Sequence, residues 1–277
     1  TSSINPQHKL IFITAPCDSL HFCNEQIPLS KRIEKTISKQ EKKFFYLKRR
    51  NHKIIKQAKE WFPLIEPILA SYGIPEDFKY FTIVESNLSN VKSSQNAVGY
   101  WQLIPATARE LGLIVNDEVD ERYDPVKSTH AACKYLKQSY KRLKNWSNVA
   151  ASYNMGITGL HRQLRRQKKK FYYDLILNRE TALYVYKGIA VKKLLEKRGK
   201  YSYRLADKID KPDFISLAVN ENIESLESFA SQYQIDYKTL QKHNPWIRAT
   251  KLTVDSTHQY TLKVPLVKAK EIELASN

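Results

Sequence analysis

At 277 residues and 42% hydrophobic content, the chain can build one large core plus a smaller module, which excludes wholesale disorder. Its seven glycines exclude a collagen-like chain and argue against a glycine-rich sandwich. A net charge of +18 draws it to polyanions, with nucleic acid, anionic membrane surface and cell-wall polymer as candidates.

The three Cys form no Cys-x-x-Cys pair and the seven His no His-Glu-x-x-His spacing, so neither a zinc site nor any cofactor is expected. Cys17 and Cys23 are close enough to bridge in an oxidising compartment, and a reduced pair fits equally well. Cys133 reads as a small buried hydrophobe. No apolar run reaches the length of a membrane span. The chain starts at Thr1 without Met, and the expectation is a mature or trimmed protein that has lost an export signal or lipid anchor.

Residues 1–30 carry Pro6, Pro16 and Pro28 and read as an irregular arm. From Ser30, a candidate cap, to about Trp61 the text is charged and helix-prone. Pro63 and Pro67 are expected to limit regular helix in the apolar stretch that ends at Gly73. Pro75, Glu76 and Asp77 open a helix that reads to Ser86, and 87–96 is loop-like. Pro105 starts a helix running to Gly112. Asp124-Pro125 caps another, with Ala132, Leu136, Tyr140 and Leu143 on its core stripe. Helices follow at 147–154 and 179–195. After Ala206 the order is strand (214–219), two short helices, and a strand with alternating Tyr260, Leu262 and Val264. The predicted organisation is an N-terminal arm and helical extension (1–55), a helical domain (56–205) and a small βααβ module (206–277).

Glu85 is the one acid in an apolar run of Tyr80, Phe81, Ile83, Val84 and Leu88. Burial and a helix C-terminus both raise a carboxyl pKa, and a carboxyl protonated near neutral pH can protonate a leaving oxygen. On pattern alone a solvated Glu on an exposed stripe is favoured. The downstream text changes that balance. Val84-Glu85-Ser86-Asn87, Ala97-Val98-Gly99-Tyr100-Trp101-Gln102 and Ala151-Ser152-Tyr153-Asn154-Met155-Gly156 occur in order. This resembles the soluble lytic transglycosylases of glycoside hydrolase family 23, with their Glu-Ser, Gly-Leu-Met-Gln and Ala-x-Tyr-Asn signatures. Within them it is similar to the membrane-bound murein transglycosylase D-like branch, whose Pro-x-Glu-Thr-x-x-Tyr-Val segment is matched by 177–185. Four segments in register over residues 60–200 are specific.

The resemblance implies a mainly α fold with a lysozyme-like catalytic domain. It gives Glu85 the place of the acid/base. Ser86, counted with the substrate-binding residues, completes the first motif and supports the local geometry, with a helix-end hydroxyl bonding backbone as its alternative, and Ser93 matches a serine that positions the sugar N-acetyl group. Gln102 faces the sugar cleft, Tyr153 and Asn154 form the third motif, and Tyr184 lines the cleft, with a core tyrosine as its competing reading. Tyr100-Trp101 replaces Leu-Met, and Asn96 stands where Gly is common, which Asn's tolerance of left-handed backbone accommodates. The implied reaction uses one carboxylate where most glycosidases use two. The Glu protonates the oxygen joining N-acetylmuramic acid to N-acetylglucosamine, then removes the proton of the muramoyl 6-hydroxyl, which closes on C1 as a 1,6-anhydro sugar.

A hydrolase on the same fold would need a second acid, and the stretch Asp117, Glu118, Asp120, Glu121 and Asp124 could supply one; turn and cap duties are the preferred reading, above all for Asp124. The patch Arg162, Arg165, Arg166 and Lys168–Lys170 reads equally as an anion-attracting surface or a solvated helix face. The C-terminal module resembles a LysM domain through Ser225–Ala230 and through Leu240 with Asn244-Pro245, but Ile223-Glu224 replaces its usual Gly-Asp, leaving docking as an alternative to sugar binding. The expected partner is peptidoglycan glycan in the periplasm or envelope, with wall or membrane association and no nucleic acid. A non-catalytic wall binder and a nucleic-acid binder are the competing readings.

Overall fold

The computed structural model describes residues 20–45, 48–197, 214–254 and 258–266. It is mainly helical, with ten α-helices and two small antiparallel sheets among the described residues. Cys17 and residues 198–213 lie outside them.

Residues 20–30, the described end of the N-terminal arm, hold regular structure that the sequence reading did not expect. Strands β1 (His21–Phe22) and β2 (Glu25–Gln26) form a hairpin turned by Cys23 and Asn24, both at positive φ. Phe22 and Cys23 are fully buried, and the Cys23 amide donates to Asp77 Oδ2 at 2.7 Å. Helix α1 (Lys31–Phe45) starts at Ser30, whose Oγ accepts from the Ile33 amide at 3.3 Å. Its Ile33 and Ile37 are buried in the main core, together with Phe22 and Ile27.

Helix α2 (Lys48–Ser71) runs straight through Pro63 and Pro67, against the sequence expectation, and also across the predicted boundary at residue 55. Both prolines are exposed and lie four residues apart on one outer stripe. The two prolines interrupt only that outer stripe, the inner stripe of Phe62, Ile65 and Leu69 stays intact, and the helix survives. A 3-10 turn (Glu76–Phe78) leads into α3 (Lys79–Ser86). Asn87 and Leu88, both at φ 54°, end that helix.

Short α4 (Pro105–Glu110), then α5 (Pro125–Leu143), α6 (Trp146–Met155), α7 (Ile157–Arg166) and α8 (Arg179–Lys197) complete the large domain. Asp124 Oδ1 accepts from the Val126 and Lys127 amides at 2.8 and 2.9 Å, the cap its position before Pro125 predicts. The hairpin caps α6: Glu25 accepts from the Trp146 and Ser147 amides at 2.5 and 3.0 Å, a carboxylate on the positive end of a helix. Helix α7 and the turn after it carry the basic patch, whose side chains are exposed.

The C-terminal module pairs β3 (Phe214–Val219) antiparallel to β4 (Tyr260–Pro265), with α9 (Leu226–Gln232) and α10 (Tyr237–His243) between them. Asn244 explains its motif. Its buried side chain donates to the Leu240 and Lys263 carbonyls at 2.9 and 2.8 Å and accepts from the Lys263 amide at 2.8 Å, tying α10 to β4.

The acidic stretch joins the two parts. Val119 belongs to the core of the C-terminal module and bridges Ile247. The Arg248 amide donates to the Glu118 carbonyl at 2.8 Å, and the Glu118 carboxylate accepts from the Thr253 amide at 2.8 Å. Inside the large domain, buried Arg122 makes a two-point contact with Asp120 at 2.9 and 2.7 Å and donates to the carbonyls of Asn96 and Leu103 at 2.6 and 3.0 Å. Arg122 thereby clamps the 96–103 loop. Gly99, at φ +79°, meets the same residue: a Cβ there would lie 2.2 Å from the Arg122 carbonyl oxygen. Replacing Gly99 by Ala combines left-handed strain with a backbone clash, and is expected to lower unfolding free energy by roughly 2–5 kcal/mol. Denaturant titration checks this, and an unchanged midpoint would contradict the packing described.

Candidate active site

A cleft of about 510 Å³ opens between the end of α3, the 93–104 loop and the α6–α7 corner. Glu85, Ser93, Gln102, Tyr153 and Asn154 all line it, so five of the seven residues singled out in the sequence meet at one cleft.

Glu85 sits on the last turn of α3. Desolvation raises its carboxyl pKa from 4.5 to about 7. A hydrogen bond from the Tyr184 hydroxyl and the charge of Lys187 pull it down, and Glu180 pushes it up. The net result is a carboxyl near half-protonation at neutral pH, able to donate a proton and to take one back. Tyr184 stays a neutral phenol, because burial and then Glu85 itself raise its pKa well above 10.

The other two of the seven stand behind the cleft, in the alternative roles that their positions allow. Tyr184 does not line the cleft. It is 2% exposed, stacked on Phe81 with centroids 5.0 Å apart, and reaches Glu85 from the core side. Ser86 is buried too, its hydroxyl 2.9 and 3.0 Å from the Thr82 and Tyr100 carbonyls, so it joins α3 to the 96–103 loop. The cause is helical geometry: the residue after Glu85 is rotated about a hundred degrees away, into the core.

The cleft-lining side chains have specific free functions. Ser93 Oγ accepts from the Gln95 and Ala97 amides at 3.2 and 3.1 Å, which leaves its hydroxyl proton to donate. Gln102, at φ 49°, gives its amide protons to the Val91 and Gly99 carbonyls at 3.0 and 2.8 Å, which leaves Oε1 as an acceptor. Tyr153 donates to the Trp101 carbonyl at 2.9 Å, and burial, then Glu85, raise its pKa well above 10. Asn154 donates to Glu180 at 2.9 Å and accepts from Thr181 at 2.8 Å. The Tyr100-Trp101 pair turns inward: Trp101 is fully buried, donating to Thr129 at 2.8 Å, and Asn96 has φ 60°. Both departures from the family pattern therefore leave Gln102 on the cleft side.

Tyr135 and Glu180 line the cleft without having been singled out. Tyr135 packs edge-on against Tyr153 at 5.3 Å, and nothing in its local text distinguishes it from a core aromatic. Glu180 stands inside the fourth sequence segment, but its place at the cleft, paired with Asn154, is set by the packing of α8. None of Asp117, Glu118, Asp120, Glu121 and Asp124 lines the cleft. Among the described residues no cluster of three or more His, Cys, Asp or Glu is placed to hold a metal, and no helix is long and apolar enough to cross a membrane.

Comparison with known proteins assigns the two parts. Residues 65–176 match the transglycosylase SLT domain, and residues 215–268 match the soluble lytic transglycosylase C-terminal LysM-like domain. The chain carries an SLT domain followed by a LysM-like domain. It is homologous to the membrane-bound lytic murein transglycosylase D of Escherichia coli K12, 30% identical over 175 residues, covering 61% of this chain and 39% of that protein. A putative tributyltin chloride resistance protein of Alteromonas sp. M-1 is 28% identical over 100 residues, 35% of this chain and 48% of that one. The chain thus spans 39% to 48% of the length of these curated relatives. Helix α8, with Glu180 and Tyr184, lies beyond the residues matched to the SLT domain.

The raised carboxyl has a consequence for stability that needs no substrate. Folding raises the Glu85 pKa, so between about 4.5 and 7 the folded state holds more of the proton than the unfolded state. Stability is therefore lost as pH rises through that window. The full cost is ~2–3 kcal/mol after allowance for solvent screening. Glu85→Gln removes the titration, so its stability relative to wild type should improve by this amount between pH 4 and pH 8. A stability difference independent of pH would show that Glu85 titrates normally.

Proposed function

We propose that the chain is a peptidoglycan lytic transglycosylase in which Glu85 acts first as acid and then as base. The observation that carries this reading is a carboxyl poised near pH 7, alone on its helix, in a cleft whose remaining polar groups are donors and acceptors suited to sugar. The SLT match and the homology to a lytic murein transglycosylase support it.

Glu85 would protonate the glycosidic oxygen between N-acetylmuramic acid and N-acetylglucosamine. The Ser93 hydroxyl, its lone pairs already taken by two amides, would donate to the N-acetyl carbonyl and hold the acetamido group where it steadies charge at C1. The carboxylate would then accept the proton of the muramoyl 6-hydroxyl as that oxygen closes on C1. The Tyr184 hydrogen bond favours the carboxylate and so limits the pKa rise that burial imposes, keeping both half-reactions accessible. Gln102 Oε1 would accept from a sugar hydroxyl, with Tyr153 and Asn154 shaping the wall beside it. Cleavage in the periplasm or envelope follows from the wall substrate.

Hydrolysis is the second reading, and the structure moves its candidate acid. Glu180 is the other carboxylate of the cleft, although its bond to Asn154 occupies it. Product mass separates the two reactions. Wild type acting on sacculi should release 1,6-anhydro muropeptides, lighter by one water than hydrolytic products, and Glu85→Gln should lower their yield by about 10²-fold or more. Reducing-end muramic acid would establish hydrolysis, and full activity of Glu85→Gln would remove Glu85 from the reaction.

The LysM-like domain has an open groove of about 820 Å³ along 217–233. We infer that its contacts with Glu118 and Val119 hold it in fixed relation to the SLT domain, so that one glycan-bearing surface presents substrate to the other. Glu118→Ala together with Val119→Asp should leave cleavage of soluble glycan strands within about twofold but weaken sacculus digestion. Equal rates on sacculi for wild type and variant would contradict the coupling.

A further inference from the structure

A second cavity, about 500 Å³, lies against the cleft and involves the N-terminal helix. Gln40, Lys43 and Phe44 of α1 form one side, the end of α3 its floor, and Arg179, Leu183 and Lys187 of α8 the other side. Glu180 lines both this groove and the Glu85 cleft, and the charge of Lys187 acts on Glu85, so the two spaces are contiguous.

The groove's chemistry is unbalanced. Gln40 is 95% buried by its 5% exposure, lines the groove, and has no hydrogen-bond partner among the described residues. Its amide atoms are open to the groove, where a ligand or water can bond them. Lys43, Arg179 and Lys187 have no ion-pair partner among the described residues. The one carboxylate present, Glu180, is taken up by Asn154. Phe44, Ile83, Val84 and Leu183 supply apolar surface between these charges. A matching ligand carries carboxylates, amide groups and small apolar side chains, and is attached to whatever occupies the cleft.

Resting on the reading of the cleft as a murein site, we propose that this groove binds the peptide borne by the muramic acid residue, with its carboxylates on Lys43 and Arg179 and a backbone amide on Gln40. Stripped glycan keeps a single lactyl carboxylate on each muramic acid residue, close to the ring, whereas a short wall peptide carries several carboxylates further out, within reach of both cations. Helix α1 lies outside the residues matched to the SLT domain, so this peptide contact is contributed by the chain's own N-terminal extension.

The test compares glycan strands bearing peptides with the same strands stripped of peptide by an amidase, using wild type and the Lys43→Ala/Arg179→Ala double variant. Both side chains are surface residues, and neither lines the Glu85 cleft. Wild type should prefer peptide-bearing strands through KM, and the variant should lose that preference by roughly tenfold or more while cleaving stripped strands at the wild-type rate. Equal KM for both substrates in wild type, or an equal loss on both in the variant, overturns the proposal. Calorimetric binding of the free, unlinked wall peptide is measured alongside. Binding by wild type that weakens about tenfold in the variant supports the groove even if no strand is cleaved, an outcome that would instead defeat the reading of the cleft. Absent or undiminished peptide binding counts against the groove, whatever the strands show.

Discussion

The arrangement depends on one contact, the Tyr184 hydroxyl against the Glu85 carboxylate. Burial alone would push the carboxyl far toward its neutral form, which gives a proton and does not readily take it back. A phenol from the core, itself too strongly buried to ionise, supplies the counterweight. The balance near pH 7 lets one group serve two opposite proton transfers. Tyr184 in turn is fixed by stacking on Phe81, and Phe81 touches Phe22 of the N-terminal hairpin edge-on at 5.8 Å. The position of the acid's partner is thus set by packing that reaches back to the first described residues.

The opposite wall of the cleft is fixed by different means. Arg122 gathers the carbonyls of the 96–103 loop, Gly99 allows the close approach of its backbone, and the loop then directs Gln102 at φ 49° toward the cleft. The acids around Arg122 are consumed in this scaffold and in docking the LysM-like domain. Their local density resembles a catalytic constellation, but four of the five have a structural partner: Asp120 with Arg122, Glu118 with Thr253, Glu121 with Lys127 and the Ile114 amide, Asp124 with the start of α5.

Much of this was readable from residues. Caps gave the helix starts at Ser30 and Asp124, because a side-chain acceptor two or three residues from an orphan amide is a local event. The βααβ order of the last module followed from alternation and turn chemistry. Glu85 could be singled out as odd by pattern, yet only the ordered motifs raised it above a solvated residue. The failures were tertiary. Pro63 and Pro67 were misjudged because their cost depends on which side of the helix meets water. The arm before Ser30 hid a hairpin whose stability comes from Phe22 and Cys23 in a distant core. Ser86 and Tyr184 stand in the substrate-binding set with a backbone-bonding hydroxyl and a core tyrosine as their alternatives, and the alternatives hold, because motif membership does not say whether a side chain faces the cleft or supports it from behind. Tyr135 and Glu180 became visible only once α5 and α8 were placed.

The most direct test of the account is a carbon-13 NMR titration of the Glu85 carboxyl in wild type and in Tyr184→Phe, with Glu85→Gln identifying the resonance. Wild type should titrate near pH 7. Tyr184→Phe removes the donor that favours the carboxylate, so its midpoint should move upward while the helix and cleft stay intact. A wild-type midpoint at the ordinary 4.5, or a downward shift in Tyr184→Phe, would contradict the buried, phenol-balanced acid on which the proposed chemistry rests.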